Sequence, residues 1–189
     1  MMNNPLILPK SFYLREDVVE IAKDLLGKFL VTNLNGELRK GMIVETEAYS
    51  QYDDKACHAY NGKRTKRTET MFLEGGHAYV YLCYGIHHLF NVVTNKADVA
   101  EAVLIRAIEP IECCNNNSNG PGKLTKALGI NTLHDKSSLI DSSIWIEANE
   151  EDKLGDVVAS KRIGVDYAGK DANKLWRFYL SESKWVSKK

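Results

Sequence analysis

The chain has 189 residues, enough to bury a substantial core in one compact domain and too few for two comfortable ones. Apolar residues make up 44% and charged ones 26%, a balance that excludes both a disordered and a membrane-spanning polypeptide. Twenty-five basic residues cancel twenty-five acidic ones, so net charge neither demands nor excludes a nucleic-acid partner, and its distribution has to decide.

A single domain over residues 1–189 is therefore expected. No apolar run approaches the length of a membrane span, and Met1-Met-Asn-Asn-Pro-Leu6 has no basic region followed by a long apolar one, which predicts a cytoplasmic protein without a membrane partner. Cys57, Cys83, Cys113 and Cys114 are irregularly spaced and read as free thiols rather than a disulfide framework or a zinc knuckle. Asn116-Asn117-Ser118 matches a glycosylation acceptor only by chance in that setting.

In chain order, Val18, Val19, Ile21, Ala22, Leu25 and Leu26 fall at helical spacing between Glu16 and Leu26, with Gly27 as a stop, and predict an amphipathic core helix. Residues 29–31 and 38–46 read as two strands, and Asn35-Gly36 between them is the dipeptide of a tight hairpin turn. A polar loop from Ser50 to Glu69 carries the basic run Lys63-Arg64-Thr65-Lys66-Arg67. The β pattern resumes over residues 77–94 and 102–108. Residues 113–122 are a loop by composition, leading into a short helix near Leu124–Leu128. Ile144–Glu147 and Trp176–Leu180 look like further strands. There is no repeat at solenoid spacing. Strands clustered mid-chain with few helices predict an α+β fold around a mostly antiparallel sheet rather than a doubly wound parallel one.

Several residues in this frame are suited to chemistry. Glu45 and Glu47 point to the same face of a strand, so alternation cannot choose between them, and Tyr49 shares that face. Arg106 interrupts the apolar run Ala102-Val-Leu-Ile-Arg-Ala-Ile108, where a charge must be paired or face a site. Asn91 is a similar intruder, suited equally to satisfying buried backbone and to a pocket. Tyr79 and Tyr81 share one face of a hairpin strand, and Tyr84 stands beside Gly85 at its turn. A tyrosine at a hairpin tip is hard to bury and suits insertion between stacked bases. His58, His77, His87, His88 and His134 show no metal-binding spacing. Gly120-Pro-Gly-Lys123 lacks phosphate-loop spacing but opens a helix whose first turn suits a DNA phosphate. The basic run, a solvated loop if taken alone, becomes a phosphate contact by its place between strand and hairpin.

Val44-Glu-Thr-Glu-Ala-Tyr49, His58, Met71-Phe72, Tyr79-Val-Tyr-Leu-Cys-Tyr-Gly85, Asn91 and Leu104-Ile-Arg-Ala-Ile-Glu-Pro110 together closely resemble the alkyladenine (3-methyladenine) DNA glycosylase family. The likeness spans nearly the whole chain, from Asp24-Leu-Leu-Gly-Lys28 through Gly120-Pro-Gly-Lys-Leu124 and Arg162-Ile-Gly-Val165 to Trp185-Val-Ser187. It implies a monofunctional glycosylase of base excision repair, which flips a damaged purine from duplex DNA and hydrolyses its N-glycosidic bond. The family's general base aligns with Glu47; Arg106 and the main-chain carbonyl of Ile163 match positions that help hold the attacking water. Tyr49, His58 and Tyr81 match the walls around the flipped base, Tyr84 the intercalating wedge, and Asn91 the residue that disfavours guanine's amino group. Lys63, Arg64, Arg67 and Lys123 are the expected backbone contacts. The resemblance also implies a curved sheet with a protruding hairpin, similar to the C-terminal domain of formyltransferases. The expected partner is duplex DNA containing damaged purines, bound by a monomer with no metal or organic cofactor.

Two other readings compete. One is a non-catalytic module that binds damaged nucleic acid through the same hairpin, against which the presence of both Glu47 and Arg106 argues. The other is a small-molecule glycoside or nucleoside hydrolase using Glu45 and Glu47 as an acid/base pair, in which the basic loop and Tyr84 would have no purpose.

Overall fold

The structure is a computed structural model that describes residues 6–112, 117–149 and 155–189. Cys113, Cys114 and Asn116 of the readings above lie outside it, as do residues 1–5.

After a short helix α1 (Lys10–Tyr13), the expected amphipathic helix forms as α2 (Val18–Asp24). The side chain of Asp17 caps it, accepting from the amides of Val19 and Glu20, which satisfies donors that have no partner inside the helix. Strands β1 (Phe29–Leu34) and β2 (Glu37–Ser50) follow. Asn35 and Gly36 both adopt positive φ, 56° and 80°, the conformation a two-residue hairpin turn requires. Then come β3 (Ala78–Cys83), β4 (His87–Thr94), β5 (Glu101–Glu112), helix α3 (Pro121–Leu128), β6 (Ile144–Glu147), β7 (Val157–Ser160) and β8 (Arg177–Leu180). Neither α1 nor β7 stands out by sequence periodicity, because each is only four residues long.

All pairings are antiparallel, with the order β3-β4-β5-β2-β1-β6 and β8 joining β2 and β7, so the α+β expectation holds in its coarse form. The long strand β2 is the spine. One edge pairs with β5 along its length, while the other edge pairs first with β1, over residues 37–42, and then with β8, over residues 45–47. The register with β5 shifts between Ile43 and Glu45 and again between Glu45 and Thr46, so the ladder is irregular where β2 changes partner. Such bulges re-aim side chains and are common beside functional sites.

Alternation divides the sheet into two faces. Val44, Ala48, Ala78, Val80, Phe90, Val92, Val103 and Ile105 face the main core under α2 and α3, and Thr46 on that face donates to the Ala22 carbonyl of α2 at 2.8 Å. The opposite face carries Glu45, Glu47 and Tyr49 of β2, Tyr79 and Tyr81 of β3, Asn91 and Val93 of β4, and Ala102, Leu104 and Arg106 of β5. A smaller apolar cluster of Cys57, Met71, Phe72, Tyr79, Val93 and Ala102 lies there.

Candidate active site

The register places Glu47 opposite Leu104, Leu104 opposite Asn91, and Asn91 opposite Tyr79. One row across four strands thus runs from a carboxylate through an apolar floor to an amide and a phenol. Above it opens a cavity of about 600 Å³ lined by Tyr49, His58, Arg67, Tyr79, Tyr81 and Asn91 among others. That is ample for one purine nucleotide, and aromatic walls with a few convergent polar groups are what a small-molecule site requires.

The two glutamates, which alternation could not separate, have different surroundings. Both side chains are fully buried. Glu45 is held from the side of β8 and the C-terminus: it accepts from Arg177 at 2.9 Å, from the Ser187 amide at 2.7 Å and hydroxyl at 3.0 Å, and from Arg106 Nε at 3.2 Å. Its acceptor sites are filled by structural partners. Glu47 is held by groups that belong to the cavity. The Tyr49 hydroxyl donates to Oε2 at 2.7 Å, Arg106 Nη1 reaches Oε2 at 3.3 Å, and the Ile163 amide donates to Oε1 at 2.8 Å. Tyr49, Arg106 and Ile163 all line the cavity, so Glu47 lies just behind its wall. Ile163 meets Glu47 through its N–H; its carbonyl, the group expected to help hold the water, is separate from that bond.

Arg106 answers the expectation that a charge in an apolar strand needs partners. Burial works against its charge, but the Glu47 and Glu45 carboxylates outweigh that and raise its affinity for the proton. Tyr49 is held as the neutral phenol, pushed well above the usual range by burial and then by the Glu47 carboxylate.

Tyr49 and Ile163 are anchored by Arg162, given no role in the sequence beyond its place in a motif, and by Asp54, which the sequence did not single out. Arg162 and Asp54 form a fully buried ion pair, with contacts of 2.6 and 2.7 Å, and Arg162 also donates to the Ala48 carbonyl at 2.8 Å. The same guanidinium lies 4.7 Å from the Tyr49 ring centroid, a cation–π contact on the ring. This clamp ties the turn at residues 162–165 to β2 and so fixes the Ile163 amide beneath Glu47. A buried arginine and aspartate 108 positions apart leave no local spacing to find them by. Tyr167 is a further lining residue not anticipated; its hydroxyl donates to the Ala56 carbonyl at 3.0 Å.

His58, Tyr79 and Tyr81 form one aromatic wall. The His58 ring meets Tyr81 edge-on, with centroids 4.9 Å apart, and its Nδ1 lies 3.1 Å from the Tyr79 hydroxyl. Burial, with help from the Arg67 guanidinium, lowers the His58 pKa to about 4. Asn91 both bonds backbone and lines the cavity: its amide nitrogen donates to the Tyr79 carbonyl at 3.0 Å. Cys57, at the edge of this wall, is an inert thiol, since burial pushes its pKa up to about 12.

Tyr84 projects from the tip of the β3–β4 hairpin, 91% exposed, in the left-handed region at φ 50°. Ile86 beside it is also exposed. Of the four cations expected at a phosphate backbone, two are otherwise engaged. Arg64 is bound to Glu69 and Asp98, and Arg67 turns inward over Tyr81. Lys63 is exposed at the cavity rim. Lys123 stands in the first turn of α3, its ammonium donating to Asn119 Oδ1 at 3.0 Å, and α3 abuts the hairpin base where Thr125 donates to the His88 carbonyl.

Residues 11–184 match the family model of methylpurine-DNA glycosylases. The chain belongs to that family. Relatives of similar length agree: a protein of Clostridium perfringens is 46% identical, with 96% of this chain and 99% of the relative covered. One of Natranaerobius thermophilus is 44% identical over 93% and 96%, and one of Chlamydia abortus 45% identical over 92% and 98%. Each bears the provisional name 3-methyladenine DNA glycosylase. The protein is thus a DNA glycosylase, a hydrolytic enzyme of DNA repair whose substrate is DNA. Among the described residues of this methylpurine-DNA glycosylase family member, no helix is long and apolar enough to cross a membrane, and no group of three or more His, Cys, Asp or Glu could hold a metal.

Proposed function

We propose that this glycosylase acts on damaged purines, flipped out of the duplex into the cavity between Tyr49, His58 and Tyr81, and that Glu47 is the general base for attack of water on C1′. The observation that carries this reading is the suspension of one carboxylate between Tyr49, Arg106 and the Ile163 amide. A carboxylate has roughly four acceptor sites. The three bonds to Glu47 leave room at Oε1 for one more donor, and a water placed there would lie between Glu47 and the sugar of a nucleotide in the cavity.

Departure of the purine leaves positive charge on the sugar, which an adjacent carboxylate stabilises while it takes a proton from the water. Arg106 does not quench this role, because its charge is shared with Glu45. Asn91, with its amide nitrogen tied to the Tyr79 carbonyl, stands in the floor where an extra exocyclic amino group would collide. Tyr84 fills the gap in the base stack, and Lys63 and Lys123 meet phosphates. Among the described residues the partners of Glu47 are Tyr49, Arg106 and the Ile163 amide, with no amine to form a Schiff base in that constellation, which favours hydrolysis to an abasic site on an uncut strand. A binding module without catalysis would have no use for a carboxylate held in this way.

The test is single-turnover release of hypoxanthine from a duplex, read by alkali cleavage at the abasic site. Glu47→Gln should lose about 100- to 10,000-fold in rate while still binding the duplex. Glu45→Gln leaves Arg106 and Arg177 short of a buried partner, so it should lose roughly 3–5 kcal/mol of stability yet keep most of its activity per folded molecule. Equal activity of Glu47→Gln and wild type would reject Glu47 as the base. No release of hypoxanthine or any alkylated purine by wild type would favour the binding module.

A further inference from the structure

The basic loop before the hairpin divides its arginines between two environments. Arg64 is matched on the surface by Glu69 and Asp98, with contacts of 2.7 to 2.9 Å. Arg67 has no carboxylate partner among the described residues. Its guanidinium lies 4.7 Å from the Tyr81 ring centroid, and Nη2 is 3.3 Å from His58 Nε2. Arginine can only donate, so Nε2 of His58 accepts and the ring proton sits on Nδ1, directed at the Tyr79 hydroxyl. Arg67 thereby sets the histidine tautomer and keeps that ring neutral. Arg67 is itself exposed at the cavity, so a positive charge without a carboxylate partner, open to solvent on one side, stands on the wall that receives the base. The other arginine in the cavity, Arg106, is neutralised by its two glutamates.

This charge has opposite consequences for the two chemical classes of damaged purine. Breaking the C1′–N9 bond sends the electron pair to the base. A neutral 6-oxo purine such as hypoxanthine leaves as an anion, its charge spread over the ring nitrogens and O6, and later takes a proton from solvent. Water supplies the new C1′–O bond and gives its proton to Glu47, so the hydrolysis balances. A guanidinium stacked on Tyr81 stabilises that anion and offers N–H donors to O6 and N7. A purine alkylated at N3 or N7 is already cationic and leaves neutral, so the same guanidinium opposes its entry and the repulsion is relieved as the bond breaks; measured from free duplex, its transition state gains nothing from Arg67, whereas that of the neutral purine does.

We propose that Arg67 is a specificity-determining residue of this site, favouring neutral 6-oxo purines over cationic N-alkylated ones. This rests on the glycosylase reading given above. It replaces the phosphate contact expected of Arg67, which would act on all substrates alike.

The experiment compares single-turnover release of hypoxanthine and of 3-methyladenine, at enzyme concentrations below saturation, from otherwise identical duplexes by wild type, Arg67→Met and Arg67→Lys. Removing the charge should lower the hypoxanthine to 3-methyladenine ratio of second-order rate constants about tenfold. The lysine variant, which keeps the charge but loses the stacked two-donor fork, should fall between wild type and Arg67→Met. A ratio unchanged in Arg67→Met overturns the inference while the glycosylase reading stands. If both rates then fall together and the salt slope of binding to undamaged duplex flattens by about one, Arg67 is a phosphate contact instead. Wild type that releases neither base overturns the glycosylase reading and the inference with it.

Discussion

At His58, burial and a neighbouring guanidinium act in the same direction. Both disfavour the imidazolium, and together they bring the folded-state pKa from 6.5 to about 4. Above pH 6.5 the ring is neutral in the folded and unfolded chain alike and contributes no pH dependence. As the pH falls toward 4 the unfolded chain takes up a proton that the folded one refuses, so stability declines across that window and levels off below it. The full cost is about 3 kcal/mol at one pKa unit per ~1.4 kcal/mol. His58→Gln should therefore lose less stability than wild type between pH 7 and pH 4.5, as read from urea midpoints. Parallel losses in the two proteins would show that the imidazole is not desolvated as the structure has it. Under the proposed function the neutral ring matters as well, because a protonated His58 would lose its acceptor for Arg67 and add a second positive charge to that wall of the cavity.

The β3–β4 hairpin shows how an element separates stability from recognition. Tyr84 adopts a left-handed backbone without the freedom of glycine and exposes its ring to solvent, so it stabilises nothing that packs against it. A non-glycine residue in that conformation costs roughly 1 to 2 kcal/mol. Tyr84→Gly should leave the protein as stable or slightly more stable in urea, while duplex affinity falls. Unchanged affinity would deny the tip any part in DNA engagement. This hairpin was legible in the sequence, since Tyr84-Gly85 between alternating strands marks both its turn and its exposed ring. So was the sharing of one face by Glu45, Glu47 and Tyr49, which follows from alternation alone. The difference between the two glutamates was not legible. It depends on β2 exchanging β1 for β8 near Ile43 and on Ser187 reaching Glu45 from 142 positions away. The Arg162–Asp54 clamp was hidden for the same reason, and the inward turn of Arg67 could not be told from a solvated basic loop, because spacing records no rotamer.

Over the whole molecule the charge sums to zero, and its placement limits how the enzyme can hold DNA. The basic run looks like a phosphate-binding strip, yet Arg64 is neutralised by two carboxylates and Arg67 is committed to an aromatic ring and a histidine. Lys63 at the cavity rim, Lys66 in the same run, which is exposed, and Lys123 beside the hairpin base remain as candidates for direct phosphate neutralisation. Each phosphate neutralised on duplex DNA contributes about −0.9 to the slope of log affinity against log salt. Binding to undamaged duplex should thus show a shallow slope of about −3, and a Lys63→Ala, Lys66→Ala, Lys123→Ala triple variant should flatten it almost to zero. A wild-type slope as steep as about −6 would require a larger basic footprint, formed by cations that are paired within the free protein and exchange those partners for phosphates. With so little electrostatic hold, much of the specific affinity falls, under the proposed function, to burial of a flipped base and to Tyr84 as a wedge. On that reading loss of Tyr84 should weaken binding at high salt as much as at low salt, whereas loss of the lysines should matter mainly at low salt.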